Sequence, residues 1–316
     1  MRRRRCLRVL AAGAGLAFCP LPGSSSRLPP RWRWRGAALG AEARIDFWLD
    51  DPARAARLTG LCLAEIDRLE RIFSLQRGDS ALSTLNREGR LLRPPPELVL
   101  VLETASRAAE ITGGAFDITV QPLWRLYADH FAQADPDPAG PPLYAVESCA
   151  RLVGHRMVEA APGTVRLVRP GMAVTLNGIA QGFIADRLAA LLREEAAVSV
   201  LLDVGEIATV GAAPGGAGWR VQARGVSEAG PILELAEGAV ATSSPTALAF
   251  DRAGRFSHLL NPAAAAPVSA QVATGAITVV ADTAMLADAF STALAVRPAT
   301  LSPKLLPFIR QVVFTQ

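Results

Sequence analysis

The stretch ITVVADTAMLADAFSTALAV, residues 277–296, holds both kinds of element from which the body is built. Ile277 to Val280 is a β-branched run of strand character, and Ala284 to Leu294 follows as a helix. From Thr283 to Val296 the chain is apolar nearly all round, the mark of a helix buried in a core. Upstream, residues 204–280 predict mostly short strands broken by glycine, at 207–210, 219–223, 232–235, 240–242 and 256–260 before 277–280. Val198 to Asp203 reads as a buried strand and Gln181 to Glu194 as the helix before it. Residues 166–175 read as two short strands around Arg169-Pro170-Gly171.

Toward the N-terminus, Ala43 to Leu49 has strand character. Asp51-Pro52 opens a helix whose Leu58, Leu61, Cys62, Ile66, Leu69 and Phe73 recur at helical spacing. Asp79-Ser80 starts a short helix that ends near Gly89. Pro96-Glu97 introduces a longer one through Glu110, stopped by Gly113-Gly114. Residues 135–142 form a Pro/Gly/Asp loop, and the tail from Arg297 to Gln316 is Pro-rich and carries no functional signal. Helices and strands interleave without a regular βαβ repeat, so the expected fold class is α+β, mixed sheets with packed helices.

The formal net charge of +4 divides unevenly. The first 35 residues hold nine arginines and no acid; without them, 24 of the 33 basic residues face 29 acidic ones, a net of −5. The body is therefore not a uniformly basic nucleic-acid binder. Arg2 to Arg5 and Arg8, the short apolar run Leu10 to Phe18, and the Pro/Gly/Ser stretch after it read as an export signal, with Arg4-Arg5 leaning toward twin-arginine translocation. The expected division is residues 1–36 as export signal and linker and 37–316 as one functional domain, exported to the periplasm or cell envelope. Phe18 before Cys19 departs from a lipoprotein box. Of the cysteines left after cleavage, Cys62 and Cys149 could pair in an oxidising compartment, although Cys62 fits a helix core. Lys304 is the single lysine, and no CxxC or HxxxH spacing supports a Cys/His zinc cage.

Four segments could carry chemistry. Asp288 lies mid-helix in the apolar stretch, with Thr292 one turn later on the same face. A carboxylate and a hydroxyl so placed are hard ligands suited to Mg²⁺; the alternative is a structural acid paired with an arginine or backbone amides. Thr175 to Gly182 leads through small residues into a helix, where N–H groups could meet an anion. Gly113 to Asp117 is either a helix stop with a turn or a loop that grips a planar ligand. His258 stands among turn residues at a strand end, either structural or catalytic.

These and neighbouring segments, FSLQRGDS (73–80) with Leu85-Asn86, GAFDITVQPL (114–123), LNGIAQG (176–182), DVGE (203–206), ATSS (241–244), SHLLNP (257–262) and Thr283 through Asp288 to Thr292, come in an order that resembles the FAD:protein FMN transferase (ApbE-like) family. The resemblance implies an exported enzyme that uses FAD as substrate with Mg²⁺. It would move FMN onto a Ser or Thr hydroxyl of an acceptor, such as a membrane-associated electron-transfer protein, and release AMP. It assigns Asp288 and Thr292 to the metal by side chain and Gly178 and Ser291 by carbonyl. Ala115, Phe116 and Asp117 fall in the flavin-nucleotide segment, with Thr175, Gln181 and Ser243 also on the cofactor side. His258 is the candidate base, with Asp288 as its rival.

The chain departs from the family where Thr175 replaces a common aspartate, Gln181 a lysine, Gln76 a tyrosine and Asn261 a frequent aspartate, and where Ala263-Ala264 interrupts an Arg-Thr-Gly run. These changes bear on FAD affinity and leave the metal pair intact. Two other activities stay open: an FAD pyrophosphatase giving FMN and AMP, and a non-catalytic flavin-binding or assembly protein.

Overall fold

The computed structural model describes residues 17–18, 28–197, 199–223, 230–269 and 275–315. Most of the leader, and Val198 of the expected 198–203 strand, lie outside the described residues. Among the described residues no helix is long and apolar enough to cross a membrane.

A seven-stranded antiparallel sheet organises the chain, in the order Ile309–Thr315, Ala276–Ala281, Ala239–Ser243, Ile207–Gly211, Ser199–Asp203, Ala41–Trp48, Arg31–Ala38. Alternate side chains point to opposite faces of a strand, so each strand feeds two cores. Phe47, Leu202, Val210, Ala241 and Val279 join the main core under the helices. Their neighbours Trp48, Leu201, Ile207, Val240 and Val280 pack on the other face against Trp219–Gln222 and Ile232–Leu235.

The helices cover the first face. α1 (Pro52–Phe73) starts at Asp51, whose Oδ1 accepts from the amides of Ala53 and Arg54 at 2.8 and 3.1 Å. α2 (Ala81–Glu88) is capped by Ser80 and ends on Gly89 at φ +67, a left-handed conformation that glycine adopts without strain. α3 (Pro96–Ile111), α4 (Gln121–Phe131) and α5 (Leu143–Ala150) follow. α6 (Ala180–Glu194) crosses α7 (Ala284–Val296) directly above the sheet. Gly182 makes that crossing possible: a Cβ there would overlap the carbonyl of Ala284. Asp186 on α6 then accepts from the first amides of α7, Ala284 at 2.7 Å and Met285 at 2.9 Å, groups that a helix start otherwise leaves unpaired.

The α+β expectation holds, with several local differences. The stretch read as a linker to residue 36 is a strand from Arg31. Its alternating arginines are accommodated by Asp46 on the neighbouring strand, 1% exposed and bonded to Arg31 at 2.7 Å and Arg33 at 2.6 Å. The two strands expected within 166–175 reduce to one, Thr164–Leu167, which pairs instead with Val158–Ala161 and Arg90–Leu92. The 256–260 strand is a single bridge at Ser257 followed by Leu260–Asn261 paired with Ala266–Pro267. The tail supplies a full edge strand, 309–315. Cys62 and Cys149 are both free; Cys62 is a core residue whose thiol burial pushes up to about 12.

Candidate functional site

At the end of α7 nearest the glycine-rich turn the helices leave a cleft. Ala115, Phe116, Asp117, Thr175, Gly178, Gln181, Ser243, His258, Asp288 and Thr292 all line it. Ser291 sits fully buried behind the wall. The site residues expected from sequence, scattered over more than 170 positions, thus converge. Among the described residues three carboxylates line the cleft, Asp117, Glu206 and Asp288, and no lysine or arginine does.

The acidic end is built on α7. Asp288 is 3% exposed, and its Oδ2 accepts from the amide of Gly182 at 3.3 Å. Burial, with Asp186 nearby, raises its carboxyl to about 8 despite that hydrogen bond. Glu206, also buried, is raised well above the usual range by burial and then by the charge of Asp288, while the Thr242 amide works the other way. Two buried carboxylates that disfavour each other's ionisation form a site where a cation would be welcome. A Cβ on Gly178 would meet Thr292 Oγ1 at 2.9 Å, so the glycine backbone lies directly against that hydroxyl. Ser243 Oγ lies 2.9 Å from Ser291 Oγ and 3.2 Å from Thr292 Oγ1.

Among the described residues no three His, Cys, Asp or Glu side chains group as a metal site. Any cation here must therefore complete its shell with hydroxyl, carbonyl, ligand or water oxygens. That is the habit of Mg²⁺, which binds through one or two carboxylates plus phosphate and water. The donor set of Asp288, Thr292 and the Gly178 backbone fits it.

His258 also lines the cleft. Its backbone amide and its Nδ1 both lie 3.0 Å from the carbonyl of Leu248. A carbonyl only accepts, so Nδ1 carries the proton and Nε2 keeps its lone pair. Burial lowers the imidazole below its ordinary 6.5, against the raising effect of the Leu248 carbonyl, and holds it neutral.

The side wall is held by the Gly114–Thr119 turn. Phe116 packs against Gly178, within 3.3 Å of the position a Cβ would take. Asp117 lines the cleft, yet its carboxylate is committed locally: Oδ1 accepts from the Thr119 amide at 2.8 Å and Oδ2 from the His155 amide at 2.9 Å. Thr175 Oγ1 accepts from the Asn177 amide at 3.3 Å. Gln181 is buried and its amide group covers Gly205, whose φ of +99 and lack of a Cβ admit it. At the positions where the family commonly has aspartate and lysine, this chain therefore presents two neutral side chains.

Glu206 and Trp124 are among the lining residues that fall outside the site residues expected from sequence. Glu206 closes the DVGE motif but gave no periodic signal, because its partner Asp288 is remote in sequence. Trp124 comes from α4, stands edge-on to Phe250 with ring centroids 5.4 Å apart, and is the one tryptophan among the cleft's described lining residues.

Residues 39–312 match the sequence model of the ApbE family. The chain is 28% identical over 302 residues to the FAD:protein FMN transferase of Klebsiella pneumoniae, covering 91% of this chain and 83% of that one. It is 30% identical over 247 residues to the enzyme of that name from Treponema pallidum, covering 72% and 68%. Among solved structures, the apo Pseudomonas stutzeri flavinyl transferase ApbE superposes with a TM-score of 0.74 at 23% identity, over 93% of this chain and 97% of that one. The flavin transferase ApbE of Vibrio cholerae gives 0.73 at 23% identity, over 88% and 90%.

Proposed function

The chain belongs to the ApbE family, and we propose that it transfers FMN from FAD to a Ser or Thr hydroxyl of an acceptor protein, with Mg²⁺ required and AMP released. The observation that carries this reading is one cleft holding an acidic, hydroxyl-rich end at Asp288 and Thr292 and a neutral imidazole with a free Nε2 at His258.

Mg²⁺ held by Asp288, Thr292 and the carbonyls of Gly178 and Ser291 would neutralise charge on the pyrophosphate, which the cleft's own side chains cannot do. Phe116 and Trp124 offer apolar faces to the flavin or adenine ring. The acceptor hydroxyl oxygen bonds to the FMN-side phosphorus, the bond from that phosphorus to the bridging oxygen breaks, and AMP departs with both electrons of that bond. His258 Nε2 takes the hydroxyl proton, for which its tautomer is already set. Asp288, held by the Gly182 amide and shared with the cation, is less suited to that task.

The arginine-rich leader supports an exported enzyme, and a membrane-associated electron-transfer protein is the acceptor the family suggests. Incubating the protein with FAD, MgCl₂ and an acceptor domain tests the reading. Covalent FMN on the acceptor, detected by mass, supports it. Release of free FMN and AMP alone would make the protein a pyrophosphatase, and retained intact FAD would make it a binder.

A further inference from the structure

Three hydroxyls at the acidic end are arranged so that their proton directions can be worked out by counting. Each Ser or Thr hydroxyl has one proton to give. Ser291 Oγ lies 3.0 Å from the backbone carbonyl of Asp288, one turn back on α7; a carbonyl only accepts, so Ser291 donates there. Its single proton is then spent. In the 2.9 Å contact between Ser243 and Ser291, Ser243 must therefore be the donor. With that proton committed, the 3.2 Å contact between Ser243 and Thr292 must run from Thr292 to Ser243.

We propose that Ser243 is a positioning residue for the metal site: through the relay Thr292 to Ser243 to Ser291 to the Asp288 carbonyl, it ties up the Thr292 proton and leaves the Thr292 oxygen only lone pairs to present to a ligand. The inference deepens the reading of this cleft as a Mg²⁺-dependent transferase site and rests on it. A freely turning Thr292 hydroxyl could donate to a phosphate oxygen as readily as it could accept a cation. Fixed by Ser243, it is an acceptor only, and suits a cation rather than an anion. The relay also explains why Ser243, at the end of the 239–243 strand, is a hydroxyl residue although it is not itself needed as a ligand. Its neighbour Thr242 is engaged elsewhere, 2.9 Å from the hydroxyl of Thr278.

The test is a calorimetric titration of MgCl₂ into the flavin-free full-length protein, which needs no turnover. Ser243→Ala is expected to weaken Mg²⁺ binding about tenfold or more, the usual scale for losing a group that orients a ligand. Ser243→Thr, which keeps the hydroxyl, should restore most of the affinity. Ser291→Ala, cut one step further back, should lose less than Ser243→Ala, because Thr292 keeps its acceptor; it also serves as the readout if Ser243→Ala fails to fold. Unchanged affinity in Ser243→Ala, or an equal loss in Ser243→Thr, overturns the relay, as does a wild-type protein that binds no Mg²⁺. If the wild type binds Mg²⁺ and Ser243→Ala binds it more weakly, but neither moves FMN, the relay stands and the transferase reading fails.

Discussion

Gly182 donates its amide to Asp288 Oδ2 across 3.3 Å, and it reaches that carboxylate because nothing stands between its Cα and the first turn of α7. Helix α6 thus delivers a backbone donor to the centre of the candidate site. Gly182→Ala would gain up to about 1 kcal/mol of intrinsic helix propensity. It would also push a methyl into the Ala284 carbonyl, an overpacking cost of about 1–3 kcal/mol that backbone cannot easily relieve. The expected result is a melting temperature lower by a few degrees, together with weaker Mg²⁺ binding by calorimetry. A variant as stable as wild type would show that the two helices can slide apart.

The carboxyl of Asp288 predicts a pH dependence of stability in the metal-free protein. Folded, it holds its proton up to about 8; unfolded, it releases it near its ordinary 3.8. Between those values the folded state binds more protons, so raising the pH disfavours folding, and the penalty is complete only above the folded value. Glu206 acts in the same direction. Asp288→Asn should therefore melt higher than wild type at pH 8 without metal, with the gap closing toward pH 4. Added MgCl₂ should raise the melting temperature of wild type and not of the variant. Thermal scans across pH with EDTA or Mg²⁺ decide it.

His258 predicts the acid limb of the transfer reaction. Its imidazole is held below 6.5, so the neutral base is present at neutral pH and is lost only as the pH falls through that lowered value. Single-turnover rates under saturating Mg²⁺ should fall on acidification below 6.5. His258→Ala should lose that limb and about 10²–10⁴-fold in rate, while its Mg²⁺ affinity by calorimetry stays at the wild-type level. A variant that kept near-normal transfer would move the base role elsewhere.

Trp124 is the one tryptophan among the cleft's described lining residues. FAD added to the metal-loaded protein should quench tryptophan emission. Trp124→Leu should abolish most of that quenching and weaken FAD binding by about 2–10-fold, the range an aromatic contact is worth beyond its area. Quenching that survives the substitution would place the ring system elsewhere.

Sequence pattern reached furthest where local rules and tertiary role agree. The buried α7 with Asp288, the Asp51 and Ser80 caps and the Gly89 stop all follow from spacing and capping chemistry, and the structure keeps each of them. Ordered motifs, rather than any one motif, indicated which residues would share a cleft. Pattern failed where a distant partner supplies the reason for a segment's shape. The 31–38 strand carries arginines at alternate positions and reads as a linker until Asp46 is set beside them. The 309–315 strand looks featureless because an edge strand needs only one paired side. Glu206 is buried, meets the charge of Asp288 and accepts from the Thr242 amide, neither of which lies near it in sequence.

The carboxylate of Asp186, bonded to the amides of Ala284 and Met285, locks α6 to α7 a turn away from the Gly182 contact. Everything proposed to hold the cation except Gly178 rides on α7, and Gly178 lies just before α6. His258 belongs to a different piece, a hairpin fastened by backbone bonds from Phe250 to Phe256, His258 to Leu248 and Ser257 to Val268. The candidate base and the candidate cation ligands thus reach one cleft on two separate pieces of backbone. Length changes in that hairpin would thus shift the imidazole relative to the cleft while the α6–α7 clasp, and every ligand proposed for the cation, stayed where it is.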